Sequence, residues 1–233
     1  MLSILKKPPI PQPLAPVTMF NLADRFRGLL TMEIGGTFQS DKFMMWIDAV
    51  GGYWVCLNDE ITIGQPAAEN IDVPILGDIS PRHARIHRDG EGYLIEAIRE
   101  VRLDGRPVRP VASLSDGCRI ELGESVRLIF RRTHALSGTA RLDFASRHRT
   151  QPSADAVLLM ADSCILGPKR HSHVLCRNWP REVILYRHDE ELYCHTAGNF
   201  KIDGVACKDR GRITRDSHIT GEGFSLKLER ITG

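Results

Sequence analysis

The sequence predicts an all-β protein: two tandem β-sandwiches behind a short N-terminal arm and helix. Three observations carry that expectation. From Phe43 onward, apolar runs of strand length follow one another, separated by Gly and Asp turn residues. Within them side chains alternate, as in SVRLIF, where Val126, Leu128 and Phe130 mark one face. Finally, a 26-residue stretch recurs: residues 80–105 align without a gap with residues 179–204.

Residues 1–42 open with KKPPIPQPLAP, whose prolines fix φ and remove donors, so an extended arm is expected. Phe20, Leu22, Phe26, Leu29 and Leu30 then partly fit a short amphipathic helix, ended by Gly35-Gly36. FMMWIDAV and YWVCL flank Gly51-Gly52, which predicts a hairpin turning on those glycines. The strand candidates ITIG, ARIHR, GYLIEAI, VRLDG, CRIEL and SVRLIF complete a first sandwich over 43–132. A polar linker is expected at 133–139 and a second sandwich at 140–233.

The repeat supports that division. Pro81 matches Pro180, Arg82 matches Arg181, and Asp104-Gly105 matches Asp203-Gly204. Upstream, DEITIG ending at Gly64 matches DSCILG ending at Gly167; downstream, SVRLIF matches GFSLKL. A solenoid needs ~3 or more units to bury its core, so two copies indicate two self-contained sandwiches.

Composition narrows the function classes. Hydrophobic residues make up 42% of the 233, charged residues 26%, and the net charge is +2. That balance excludes wholesale disorder. No apolar run reaches the ~18 residues of a membrane span, and the N-terminus lacks a secretory pattern. Segment charges of +2 for 1–42, −3 for 43–132 and +3 for 133–233 leave no basic stripe for nucleic acid. Six scattered cysteines without a CxxC read as reduced, largely buried thiols, and the expected compartment is the cytoplasm. His171, His173, Cys176, Cys194 and His195 are zinc-ligand types, but no second pair stands at a standard spacing. Loop histidines and buried thiols are the reading, with no metal and no cofactor. No GxSxG, Walker A, HExxH or dinucleotide fingerprint appears, so a non-catalytic protein is expected.

Several motifs in the first repeat occur in a specific order: Ile63-Gly64, Ser80-Pro81-Arg82-His83, Leu103-Asp104-Gly105, Leu114-Ser115-Asp116-Gly117 and Ile120-Glu121-Leu122-Gly123. In that order they resemble a forkhead-associated (FHA) domain over residues 43–132, with a degenerate copy at about 140–231. The resemblance implies an eleven-stranded sandwich whose loops at one end bind phosphothreonine peptides. It makes Ser80 a phosphate donor and His83 a buried prop for the loop. Gly64, Asp104 and Gly105 take structural roles. Where the family places an Arg after the first Gly, this chain has Gln65; at the family's Asn-Gly loop it has Arg99-Glu100. Ser80, Arg82, Arg99 and the backbone at Gln65 are therefore the candidate phosphopeptide site, because a phosphate needs convergent charged and neutral donors.

In the second repeat Pro168 follows the Gly, Trp179 replaces the Ser and Glu182 replaces the His. Gly198-Asn199 echoes the peptide-holding loop, and Lys169, Arg170 and His171 read as a solvated basic loop. The expected function is an interaction adaptor whose partner is a protein phosphorylated on threonine by a Ser/Thr kinase, with neither nucleic acid nor membrane. A phosphate-independent scaffold or oligomerisation module on the same fold is the alternative, and Gln65 favours it.

Overall fold

The computed structural model describes residues 41–231 apart from 91, 135 and 136. The expected Pro-rich arm and helix lie outside the described residues. Among those residues every regular element is a strand.

β1 (Lys42–Ile47) and β2 (Gly51–Cys56) form the opening hairpin. It turns at 48–50, where Ala49 has a positive φ of 58°, not on the glycines as expected. Gly51 and Gly52 lie inside β2. They are needed for close approach: a Cβ on Gly52 would overlap the Trp46 ring, and one on Gly51 would overlap the Asp155 carboxylate. The first half continues with β3 (Glu60–Gly64), β4 (Val73–Pro74), β5 (Ala84–Arg88), β6 (Tyr93–Ala97), β7 (Val101–Leu103), β8 (Arg106–Pro107), β9 (Val111–Ser113), β10 (Arg119–Leu122) and β11 (Val126–Arg131). In the second half follow β12 (Ala140–Phe144), β13 (Ala156–Leu159), β14 (Ser163–Gly167), β15 (Val174–Leu175), β16 (Val183–His188), β17 (Glu191–Ile202), β18 (Val205–Ile213), β19 (His218–Gly221) and β20 (Phe224–Arg230).

A five-stranded sheet runs β4-β3-β5-β6-β9. Everything else joins one sheet in the order β15-β14-β16-β17-β19-β20-β1-β2-β13-β12-β11-β10-β7-β8, with β18 on β17. The stretch expected as a linker connects β11 to β12, and those two strands are hydrogen-bonded neighbours. β1 pairs with β20, the last strand of the chain, and β2 pairs in parallel with β13. The opening hairpin of each half thus borders the final strand of the other. This differs from the expectation that each repeat closes on itself.

Two hydrophobic cores result. The first contains Met44, Trp54 and Cys56 from the opening hairpin, the apolar residues of β3 to β11, and Ala140, Leu142, Val157 and Leu159 from the second half. The second contains Phe43, Met45, Ile47, Tyr53 and Val55 from the same hairpin, with Ala156 and Leu158 and the apolar residues of β14 to β20. Alternate side chains point to opposite faces of a strand, so β1, β2 and β13 feed both cores at once. That explains their near-continuous apolar sequences, FMMWI, YWVC and AVLL: a strand buried on both faces has no polar side to show. β11 and β12 bury one face each and alternate.

Hydrogen bonds recur at matched places in the two halves. Asp104 N donates to Arg119 O and Asp203 N to His218 O, both at 2.9 Å. Arg88 N reaches Asp59 O and Arg187 N reaches Asp162 O, both at 2.8 Å. The Asp104-Gly105 and Asp203-Gly204 turns have φ values of 49°/79° and 52°/83°, both residues left-handed as a tight two-residue hairpin requires.

Candidate functional site

The loops at one end of the first core are tied together around His83. β3 stops at Gly64, where a Cβ would overlap the Pro81 carbonyl oxygen, so only glycine lets the two backbones meet. Gln65 N then donates to Pro81 O at 3.2 Å, and His83 N to Ile63 O at 2.8 Å. The His83 ring is buried. Its Nδ1 accepts the Ser80 N–H at 3.0 Å, and its Nε2–H donates to Glu100 O at 2.8 Å. Those partners assign a neutral imidazole carrying its proton on Nε2. Glu100 O also accepts from Gly123 N, and Arg99 N donates to His83 O at 2.9 Å. The His83 side chain therefore ties the Ser80 loop to Glu100, and backbone bonds add the segments at 63–65 and 123.

On this frame stand the candidate residues. Ser80 is half-buried, and its hydroxyl makes no hydrogen bond among the described residues. Arg82 and Arg99 are exposed, and neither guanidinium meets a carboxylate; Arg99 Nη1 donates only to the neighbouring Ile98 O. Gln65 is half-buried and held through its backbone. Asp104 and Gly105 belong to the β7–β8 turn, where Asp104 Oδ1 accepts Arg119 N, and they stand apart from the His83 loops. Arg102 was not anticipated. Its guanidinium takes the Glu100 carboxylate with two bonds of 2.8 and 3.1 Å, neutralising the one acid that the sequence places beside Arg99. Nothing but the i to i+2 spacing at the start of β7 could have signalled that pair. A free hydroxyl and two uncompensated guanidiniums on loops tied together by hydrogen bonds are groups of the kind a dianionic phosphate takes as donors.

At the matched end of the second half the corresponding residues are engaged with one another. Glu182, in the position of His83, has its Oε1 3.2 Å from Lys169 Nζ and 3.4 Å from His171 Nε2. Lys169, Arg170 and His171 are exposed, as expected of a solvated basic loop, and two of them also reach this carboxylate. Arg181 donates to Ala197 O and Glu222, and Trp179 is buried against Phe224 with ring centroids 5.3 Å apart. His173 and Cys176 are buried, and among the described residues no group of three His, Cys, Asp or Glu is arranged to hold a metal.

The FHA domain family matches this chain over residues 61–123, the span from β3 to β10 that carries the His83 loops. An FHA domain, a module of all-β fold, is therefore present there. Among solved structures, Mycobacterium tuberculosis EmbR in complex with a low-affinity phosphopeptide is 24% identical, with 36% of this chain and 22% of that one covered and a TM-score of 0.28. This chain accordingly spans about a fifth of EmbR's length. A structure from a study of phosphothreonine-dependent FHA domain interactions is 26% identical, covering 39% of this chain and 96% of that one, with a TM-score of 0.30. The N-terminal FHA domain of EssC, a component of the bacterial type VII secretion apparatus, is 12% identical over 82% of this chain and 93% of that one, TM-score 0.23. No curated protein matches the sequence.

Proposed function

We propose that this protein is a non-catalytic interaction adaptor whose FHA domain binds partners phosphorylated on threonine by a Ser/Thr kinase. The observation that carries the reading is the pairing of a free Ser80 hydroxyl with the uncompensated Arg82 and Arg99, on loops that His83 holds in one place. In this reading the Ser80 hydroxyl and the two guanidiniums take the phosphate, and the backbone near Gln65 adds donors. The second half is read as an altered copy of the same fold that has lost its site; the recurring hydrogen bonds and the Glu182 ion pairs support this. All six cysteines are free thiols, the form a reducing compartment maintains, which supports action in the cytoplasm.

Gln65 favours a second reading, a scaffold that binds without phosphate, because an amide cannot supply a charged fork. Titration calorimetry separates the two, using a phosphothreonine peptide drawn from a randomised library. Phosphate-dependent binding that Ser80→Ala or Arg82→Ala weakens about tenfold, the loss of one charge-assisted bond, is expected. Equal binding of phosphorylated and unphosphorylated peptide would establish the scaffold instead.

A further inference from the structure

A loop from the second half borders the proposed phosphate site. Residues 145–155 connect β12 to β13, yet they pack on the segment between β4 and β5 that leads into Ser80. Leu76 N donates to Arg149 O at 2.9 Å, Gln151 N donates to Pro74 O at 3.0 Å, and Thr150 bridges Ile75. The His148 ring lies against Gly77, three residues before Ser80; a Cβ there would come within 3.0 Å of it. The loop is held in place from inside as well. Ser146 Oγ accepts Arg127 N at 3.1 Å and bonds His148 Nδ1 at 2.9 Å. Arg149 Nη1 donates to the Ser146 and His148 carbonyls, and its guanidinium lies over the Phe144 ring.

The charge this loop brings is one-sided. Arg147 is exposed with no ion pair among the described residues, and Arg149 bonds carbonyls rather than carboxylates. With Arg82 and Arg99 they make four guanidiniums against Glu69, Asp78 and Glu124 on the neighbouring loops, Glu100 being taken by Arg102 and Glu121 standing cross-strand from Arg127. The matched position in the second half differs: there the turn of the opening hairpin, Asp48-Ala49-Val50, borders Trp179 and Phe224 around a cavity of about 570 Å³. The basic guest loop therefore stands only at the end where Ser80 and Arg82 are free.

We propose that the β12–β13 loop is part of the recognition surface, and that Arg147, with Arg149 behind it, selects acidic side chains flanking the phosphothreonine. This rests on the phosphothreonine reading above. The partner is thus an acidic phosphopeptide, and its full contact surface needs both halves of the chain. Exposed arginine–carboxylate contacts are individually weak and salt-screened, so the effect is one of preference: about two- to fivefold per charge at low salt.

The test uses the full chain and an immobilised phosphothreonine peptide library with randomised flanks. Wild type should enrich Asp and Glu at one or more flanking positions, and Arg147→Glu should abolish that enrichment while keeping its dependence on phosphate. Arg147 makes no contact that the fold needs, and a thermal melt matching wild type checks this; Arg147→Ser serves if the reversal of charge perturbs the loop. Unchanged acidic enrichment in the variants, or none in wild type, overturns the proposal and leaves phosphothreonine reading standing. No dependence on phosphate in wild type overturns both.

Discussion

Asp72 and His173 occupy the same place in the two halves and make the same bond. Asp72 Oδ2 accepts Thr62 N at 2.8 Å, and His173 Nδ1 accepts Ile165 N at 2.9 Å. Each satisfies a strand N–H that would otherwise be buried without a partner. Asp72 was not singled out and His173 was noted only as a zinc-ligand type, because acceptor capacity, not residue type, is what the position requires. The choice has consequences for pH. Burial, helped by the nearby charges of His134, Arg141 and His171, lowers the His173 pKa from 6.5 to about 4. An unfolded chain takes up that proton at about 6.5 and the folded one only near 4, so between those values the unfolded state binds more protons. The contribution is complete above pH 6.5 and is lost as pH falls toward 4, up to about 3 kcal/mol for this group. Urea midpoints at pH 7 and 4.5 should therefore converge more for His173→Gln than for wild type; equal shifts in the two proteins would count against this. His83, in contrast, lies under the proposed site. Removing its ring leaves Ser80 N and Glu100 O without these partners, so His83→Ala should cost on the order of 1–3 kcal/mol in urea melts. Phosphopeptide affinity should fall with it, since the same bonds position Ser80.

At the scale of elements, the opening hairpin is the member on which both cores depend. Trp54 fills the first core and donates its indole N–H to Asp72 O at 2.8 Å, while its neighbours Tyr53 and Val55 fill the second. A slip of one residue would exchange the two sets of side chains, which fixes the register of β2 with β1 and β13. Trp54→Leu removes ring volume from one face only. It should cost about 3–4 kcal/mol, near the lower range for large-to-small core changes. Because β2 is shared, near-ultraviolet circular dichroism should show a single transition at the lowered midpoint; two separate transitions would mean the cores unfold independently.

For the whole molecule, the exchange of hairpins makes the halves interdependent. A chain ending at residue 132 lacks Ala140, Leu142, Val157 and Leu159 from its own core and exposes Phe43, Met45 and Ile47. It also leaves β11 and β1 as open apolar edges, a hazard for aggregation. Residues 41–132 expressed alone are expected to be unfolded or aggregated. Mixing with a separate 133–231 chain should restore a 1:1 complex with a cooperative melt, read by size-exclusion chromatography and circular dichroism. A stable monomer of 41–132 alone would contradict the interdependence.

Much of this was legible in the residues alone. The all-β class, the Asp104-Gly105 turn, the alternation in β11 and the order of motifs around Ser80 and His83 all depend on local chemistry: φ preferences, period-two burial and fixed spacing. The doubly apolar runs FMMWI and YWVC also carried their signal, since such strands must be covered on both faces. What covers them was not legible. Pairing between strands more than a hundred residues apart, β1 with β20 and β2 with β13, leaves no local mark, because any apolar edge of matching length satisfies the same backbone bonds. For the same reason the spacing of Gly51-Gly52 suggested a turn when the glycines answer to Trp46 and Asp155. The tertiary structure alone decided that Arg102 neutralises Glu100 and that His148 and Arg149 stand beside the loop leading to Ser80, since both depend on where the chain brings side chains together in space.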